Sequence, residues 1–126
     1  NIAIGLGQQD EAHPDWALSV GQLMALQERS DIALVDWRED SERASYGQIP
    51  GSIHAPYGAL ETLIGPGGLL REMAAAADKQ LIYYCAYGER SAMAVHASEE
   101  NGLANIRHLI GGIAAWIEAG GPVQKD

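Results

Sequence analysis

Residues 81–95 read LIYYCAYGERSAMAV, and the way this stretch divides decides the fold. Leu81 to Tyr84 form an unbroken apolar and aromatic run that stops at Cys85. A run this short, closed by a turn containing Gly88, reads as a strand buried on both faces. After the turn come Arg90, Ser91 and the alanine-rich AMAV, which has the composition of a helix. Strand, tight loop and helix in that order make the repeating unit of a parallel α/β sheet.

The segments on either side continue the alternation. Upstream, ALSVGQLMALQER places Val20, Leu23, Met24 and Leu26 at helical spacing, with Ser19 as the cap. IALVDW is another strand buried on both faces. YGQIPGSIHAPYG is broken by Gly47, Pro50, Gly51 and Pro56, so it reads as loop and turn around a brief extended piece at Ser52–Ala55. Ala59–Ile64 and Leu69–Ala77 are expected to be helical, separated by the breaker GPGG. Downstream, a helix over Ser91–Asn101 ends at Gly102, NIRHLI is a third strand, and GGIAAWIEA is a last helix stopped by GGPV. The expectation is one α/β domain over residues 15–126, an open, mainly parallel sheet with helices on both faces. Residues 1–14 form a loose lead-in.

Composition narrows the function. A chain of 126 residues suits one domain with a real core. Its net charge of −9 argues against nucleic acid or an anionic membrane surface as partner. No apolar run is long enough to cross a bilayer. The single cysteine cannot form an internal disulfide and leaves the redox compartment undecided. A cytoplasmic location is expected, with a periplasmic one left open because the chain opens on Asn rather than Met. No Cys or His pair has metal-ligand spacing, and GLGQQD and GPGG lack the full nucleotide-binding patterns, so no metal or cofactor is expected.

Chemistry therefore converges on Cys85. Ligands of open parallel sheets bind beyond the carboxyl ends of the strands, where this residue lies. The backbone N–H groups of Ala86, Tyr87, Gly88, Glu89, Arg90 and Ser91 can curl around the sulfur and, with the first helical turn, form an anion cradle. Such settings favour thiolate, with cysteine pKa values lowered to about 3.5–7.5. Gly88 supplies the positive φ that a tight loop needs. Arg90 offers forked donors to an anion above the sulfur, and Glu89 is expected to point outward to solvent. The competing reading is a cysteine that serves as a small buried hydrophobe. Sealing within a hydrophobic interior would favour it. Among the other candidates, His96 is expected to project away from Cys85 and His54 to be structural or solvated. Trp16, Trp37 and Trp116 belong to the core, and Tyr87 sits at the pocket mouth.

These residues resemble the active-site loop of the rhodanese-like sulfurtransferases, and three further segments fit that family in order. LVDWRE resembles its Asp-x-Arg strand end through Asp36 and Arg38, followed by Glu42. YGQIPGSIHAP resembles its Gly-His-Ile-Pro-Gly element through Gly47, Ile49, Pro50 and Gly51. LIGGIAAWIEAGGPV resembles its C-terminal signature through Gly111, Gly112, Trp116, Gly120 and Pro122. Trp37 and Gln48 depart from the usual residues.

The resemblance implies that Cys85 is the nucleophile and residues 86–91 bind substrate. Cys85 would take the outer sulfur of thiosulfate or a similar small anion as a persulfide and pass it to a thiol or cyanide. A partner protein as sulfur donor belongs to the alternative, a sulfur-carrier or non-catalytic module. Asp36 and Arg38 are implied to be supports, Arg38 being expected to pair with a nearby Glu. Phosphatases and arsenate reductases of this fold carry a loop one residue longer between Cys and Arg. The shorter loop here suits a sulfur atom better than a phosphate.

Overall fold

The computed structural model describes residues 16–26, 31–76, 80–103 and 105–125. The lead-in expected over residues 1–14, the end of the first helix and Ala77 lie outside the described residues. In chain order the elements are β1 (Ala17–Leu18), α1 (Val20–Leu26), β2 (Ile32–Asp36), α2 (Asp40–Tyr46), β3 (Ile53–His54), a 3₁₀ turn (Tyr57–Ala59), α3 (Leu60–Ile64), α4 (Leu69–Ala76), β4 (Gln80–Tyr84), α5 (Glu89–Glu100), β5 (Arg107–Leu109) and α6 (Gly112–Glu118).

The five strands form one parallel sheet in the order β1–β5–β4–β2–β3. β4 is central and pairs with β2 from Gln80 opposite Ile32 to Tyr84 opposite Asp36. Side chains alternate across it. Leu81, Tyr83 and Cys85 enter one core with Ala33 and Val35, while Ile82 and Tyr84 enter the other with Leu34. α3, α4 and α5 cover the first face through Ile64, Leu70, Ala94 and Val95. Leu23 of α1 and Ile113 and Trp116 of α6 cover the second. Both faces are thus dry, which is why β2 and β4 lack polar alternation. The fold is the expected α/β architecture with helices on both sides of a parallel sheet.

Ser19 caps α1 as expected: it accepts from the Gln22 N–H at 3.2 Å while the Gln22 side chain accepts from the Ser19 N–H at 2.9 Å. Two elements depart from the sequence reading. Ala17 and Leu18, which precede the Ser19 cap and are assigned no strand from the sequence, pair with His108 and Leu109 as an edge strand. Residues 40–46 form α2, which the sequence reading does not anticipate because none of its residues is buried and it shows no apolar stripe. Its start is fixed by Glu42, whose Oε1 accepts from the Glu39 N–H at 2.9 Å. Both elements matter below, since the strand beside β1 and the first turn of α2 reach the cysteine loop.

Candidate active site

β4 delivers Cys85 to the carboxyl edge of the sheet, and the chain turns back over it at once. Gly88 is the N-cap of α5 at φ +112°, a conformation open to glycine and strained for other residues. The helix therefore begins at Glu89, two residues before the expected Ser91. This geometry aims backbone donors at the sulfur. The Gly88 N–H lies 3.1 Å from Cys85 Sγ and the Ser91 N–H 3.4 Å. Ser91 Oγ stands 3.7 Å away. Cys85 has no exposed surface, 0%. Its sulfur nonetheless meets polar groups on the loop side and hydrocarbon only toward the core. That is a half-polar socket at a strand end, distinct from the sealed hydrophobic niche of a purely structural cysteine.

The side chains of the loop differ from expectation in two places. Glu89 does not point outward: its Oε1 lies 3.8 Å from the sulfur, with the side chain still 37% exposed. The first turn of α5 folds it back over the loop it caps. Arg90 does not reach over the sulfur as a free anion clamp. Both of its terminal nitrogens donate to Glu42 of α2, each at 2.8 Å, and its Nε lies 3.9 Å from Glu89. Tyr87 is exposed, as expected of a residue at the mouth.

Glu42 is the residue whose role the sequence reading leaves unassigned. It starts α2 with one oxygen and grips Arg90 with both, joining the loop after β2 to the loop after β4. The Arg90 hydrogen bond holds its carboxyl down at about 2, and Glu42 in turn raises Arg90 above its ordinary value. A carboxylate whose folded pKa is depressed stabilises above its ordinary pKa and loses that contribution as pH falls through the folded value. The stability gap between wild type and Glu42→Gln, followed by urea unfolding, should therefore stay constant down to about pH 4.5 and close as pH approaches about 2. A gap that keeps its size throughout that window would show that the clamp is not electrostatic.

The third wall comes from α6. Its first free N–H groups turn toward the cysteine loop, Ile113 donating to the Cys85 carbonyl at 2.9 Å and Ala114 to the Ala86 carbonyl at 3.1 Å. The carbonyls at the loop's start are thereby drawn outward, leaving its N–H groups to face the sulfur. The helix must come very near to do this. A Cβ on Gly112 would lie 2.4 Å from the Ala86 carbonyl oxygen, so this second glycine of the C-terminal pair is required by backbone contact.

Beneath these walls lies a buried polar platform. Asp36 accepts two bonds from the Arg38 guanidinium, at 3.0 and 2.8 Å, a third from Arg43 at 3.2 Å and a fourth from the Tyr84 hydroxyl at 3.0 Å. Arg38 thus pairs with Asp36, not with a glutamate, and is 1% exposed; it also donates to the Gly47 carbonyl at 2.6 Å. The bend just past β2 explains the choice, since it also brings the Arg38 N–H to the same carboxylate at 3.0 Å. Tyr84 extends the platform by bonding Ser52 at 2.9 Å and receiving the Ile49 N–H at 3.1 Å. Burial, reinforced by Asp36, pushes its phenol up to about 12, so it serves as a neutral donor. Asp36 and Arg38 hold the Gly47–Ser52 turn and make no contact with the sulfur.

The remaining candidates sit apart. His54 is tied to the Arg38 carbonyl at 2.8 Å and to Asp40 at 3.1 Å, a structural role. His96 lies beside Glu100 on the outer part of α5. Trp37 and Trp116 are core residues. Among the described residues no group of His, Cys, Asp or Glu side chains is arranged to hold a metal, and no helix is long and apolar enough to cross a membrane.

Comparison with known proteins places these features in a family. The model of the rhodanese-like domain matches residues 19–119. A sulfurtransferase of Allochromatium vinosum is 30% identical over 98 residues, 78% of this chain and 83% of that protein. The thiosulfate:glutathione sulfurtransferase of Saccharomyces cerevisiae is 32% identical over 96 residues, 72% of this chain and 68% of that one. Among solved structures, a Rhodopseudomonas palustris protein described as of unknown function and a possible tyrosine phosphatase superposes with a TM-score of 0.80 at 36% identity, over 92% of this chain and 90% of its own. With four ordered motifs, a parallel sheet and a family match over most of its length, this chain belongs to the rhodanese-like domain family.

Proposed function

We propose that the protein is a sulfurtransferase that carries sulfane sulfur on Cys85. In the first half-reaction the Cys85 thiolate attacks the outer sulfur of a donor such as thiosulfate. A new S–S bond forms, the donor's S–S bond breaks, and sulfite leaves with the electron pair. In the second, a thiolate or cyanide attacks the outer sulfur of the persulfide and Cys85 departs as thiolate. The observation that carries this reading is the short loop that turns the Gly88 and Ser91 N–H groups onto a lone sulfur. Fixed donors of this kind stabilise charge on the thiolate, the persulfide and the leaving anion without reorganising. The named activities of the bacterial and yeast relatives support the same chemistry.

A phosphatase activity, which the description of the Rhodopseudomonas protein raises, is disfavoured by the loop. Only Ala86, Tyr87, Gly88 and Glu89 separate Cys85 from Arg90, and Arg90 is spent on Glu42. One observation favours a second reading, a carrier loaded by a partner protein: the Glu89 carboxylate beside the sulfur opposes a free dianion there. Incubation with thiosulfate followed by intact-mass measurement tests the main reading. One added sulfur on Cys85, discharged by a thiol or cyanide with ping-pong kinetics, is expected. No added sulfur from thiosulfate, with loading by a cysteine desulfurase, would select the carrier instead.

A further inference from the structure

Behind Ser91 lies a buried imidazole that the sulfur chemistry above does not use. His108, on β5, is 2% exposed, and its Nδ1 lies 3.2 Å from Ser91 Oγ. Ser91 Oγ also lies 3.1 Å from the Gly88 carbonyl and 3.7 Å from Cys85 Sγ. We propose that His108 is a positioning residue for Cys85, its Nδ1–H holding the Ser91 hydroxyl so that the hydroxyl's own proton is free to follow the charge on the sulfur.

The assignment rests on counting protons. A serine hydroxyl has one proton to give and two lone pairs to receive. The Gly88 carbonyl can only accept. Were Nδ1 bare, the carbonyl and the imidazole would compete for the same proton, and one of two short, buried contacts would face lone pair against lone pair. With Nδ1 protonated each of these contacts of Ser91 Oγ pairs a donor with an acceptor. Ser91 Oγ then receives from His108, gives to Gly88, and turns its remaining lone pair toward the thiol.

The same arrangement lets the hydroxyl change direction. When the sulfur is negatively charged, the Ser91 proton can rotate from the Gly88 carbonyl to the sulfur. The carbonyl keeps the Ala92 N–H at 3.0 Å. The hydrogen bond gained by a charged sulfur outweighs the neutral one given up, a gain that a neutral imidazole taking the same proton would not supply. The Nδ1–H stays on Oγ throughout and polarises the bond that serves the anion. Ser91 thus adds a hydroxyl donor to the two backbone donors only when charge is present. This second half rests on the sulfurtransferase reading; the resting tautomer does not.

The test uses the whole protein and needs no sulfur donor. Long-range nitrogen–proton correlation on labelled protein, assigned with His108→Asn, should show His108 Nδ1 protonated at neutral pH. A bare Nδ1 overturns the proposal, whether or not the protein transfers sulfur. In parallel, alkylation of Cys85 by iodoacetamide should slow about tenfold in His108→Leu, the loss of one hydrogen bond serving a charged group. His108→Asn, which keeps an N–H near the same place, should recover most of that rate. In a Ser91→Ala background, His108→Leu should have no further effect. Equal slowing with and without the serine would mean that His108 acts by packing alone, and the proposal would fall. The tautomer is read on the unaltered residue, so the test stands even where His108→Leu does not fold.

Discussion

Cys85→Ser is expected to abolish sulfur transfer, lowering the rate by at least about a thousandfold, as removal of an attacking nucleophile does elsewhere. The substitution is close in shape, and an oxygen can still receive the Gly88 and Ser91 N–H groups that now meet the sulfur at 3.1 and 3.4 Å. The fold should therefore survive, with the melting temperature within a few degrees of wild type. What is lost is chemistry. A hydroxyl is far less ionised and less nucleophilic than a thiol, and oxygen cannot store a sulfane sulfur as a persulfide. No other cysteine exists to take over. Rates with thiosulfate and a thiol acceptor, alongside a thermal melt of both proteins, decide the matter. Transfer that persists in the folded variant would remove Cys85 from the mechanism.

Asp36→Ala should produce the largest loss of stability, about 3–5 kcal/mol. Asp36 and Arg38 are both buried, and among the described residues Asp36 alone answers the charges of Arg38 and Arg43 at the end of β2. Its removal leaves a buried guanidinium without its carboxylate, while the Tyr84 hydroxyl keeps Ser52 as its acceptor. Against a typical total of about 5–15 kcal/mol this is severe, a fall of roughly 10–20 °C in melting temperature. Adding Arg38→Leu to Asp36→Ala should cost little more, since the stranded charge goes with it. A cost below about 1 kcal/mol for Asp36→Ala would mean that water reaches the platform and replaces the carboxylate. Because the platform holds the Gly47–Ser52 turn rather than the sulfur, its loss should weaken folding more than it slows the chemistry of the molecules that remain folded.

The parallel sheet and its central strand were legible because burial on both faces leaves a direct mark: IALVD and LIYYC carry no polar alternation. The loop after Cys85 was legible because a strand end, Gly88 and a helix start are local features that adjacent residues dictate. β1 was not, since two residues carry no period, and only pairing with β5 makes them a strand. α2 left no apolar stripe, although Glu39 and Glu42 at the spacing of a capping box were a signal that could have found it.

Sequence alone therefore determined which residue is the candidate nucleophile and what architecture presents it, because both follow from neighbours along the chain. Tertiary structure alone decided what surrounds the sulfur. Glu42 meets Arg90 across 48 positions, α6 turns its first N–H groups onto the carbonyls of Cys85 and Ala86, and His108 arrives behind Ser91 from a neighbouring strand. Hydrogen bonds and ion pairs act over a few ångströms of space, and no pattern of spacing records which distant side chains folding will bring within that reach.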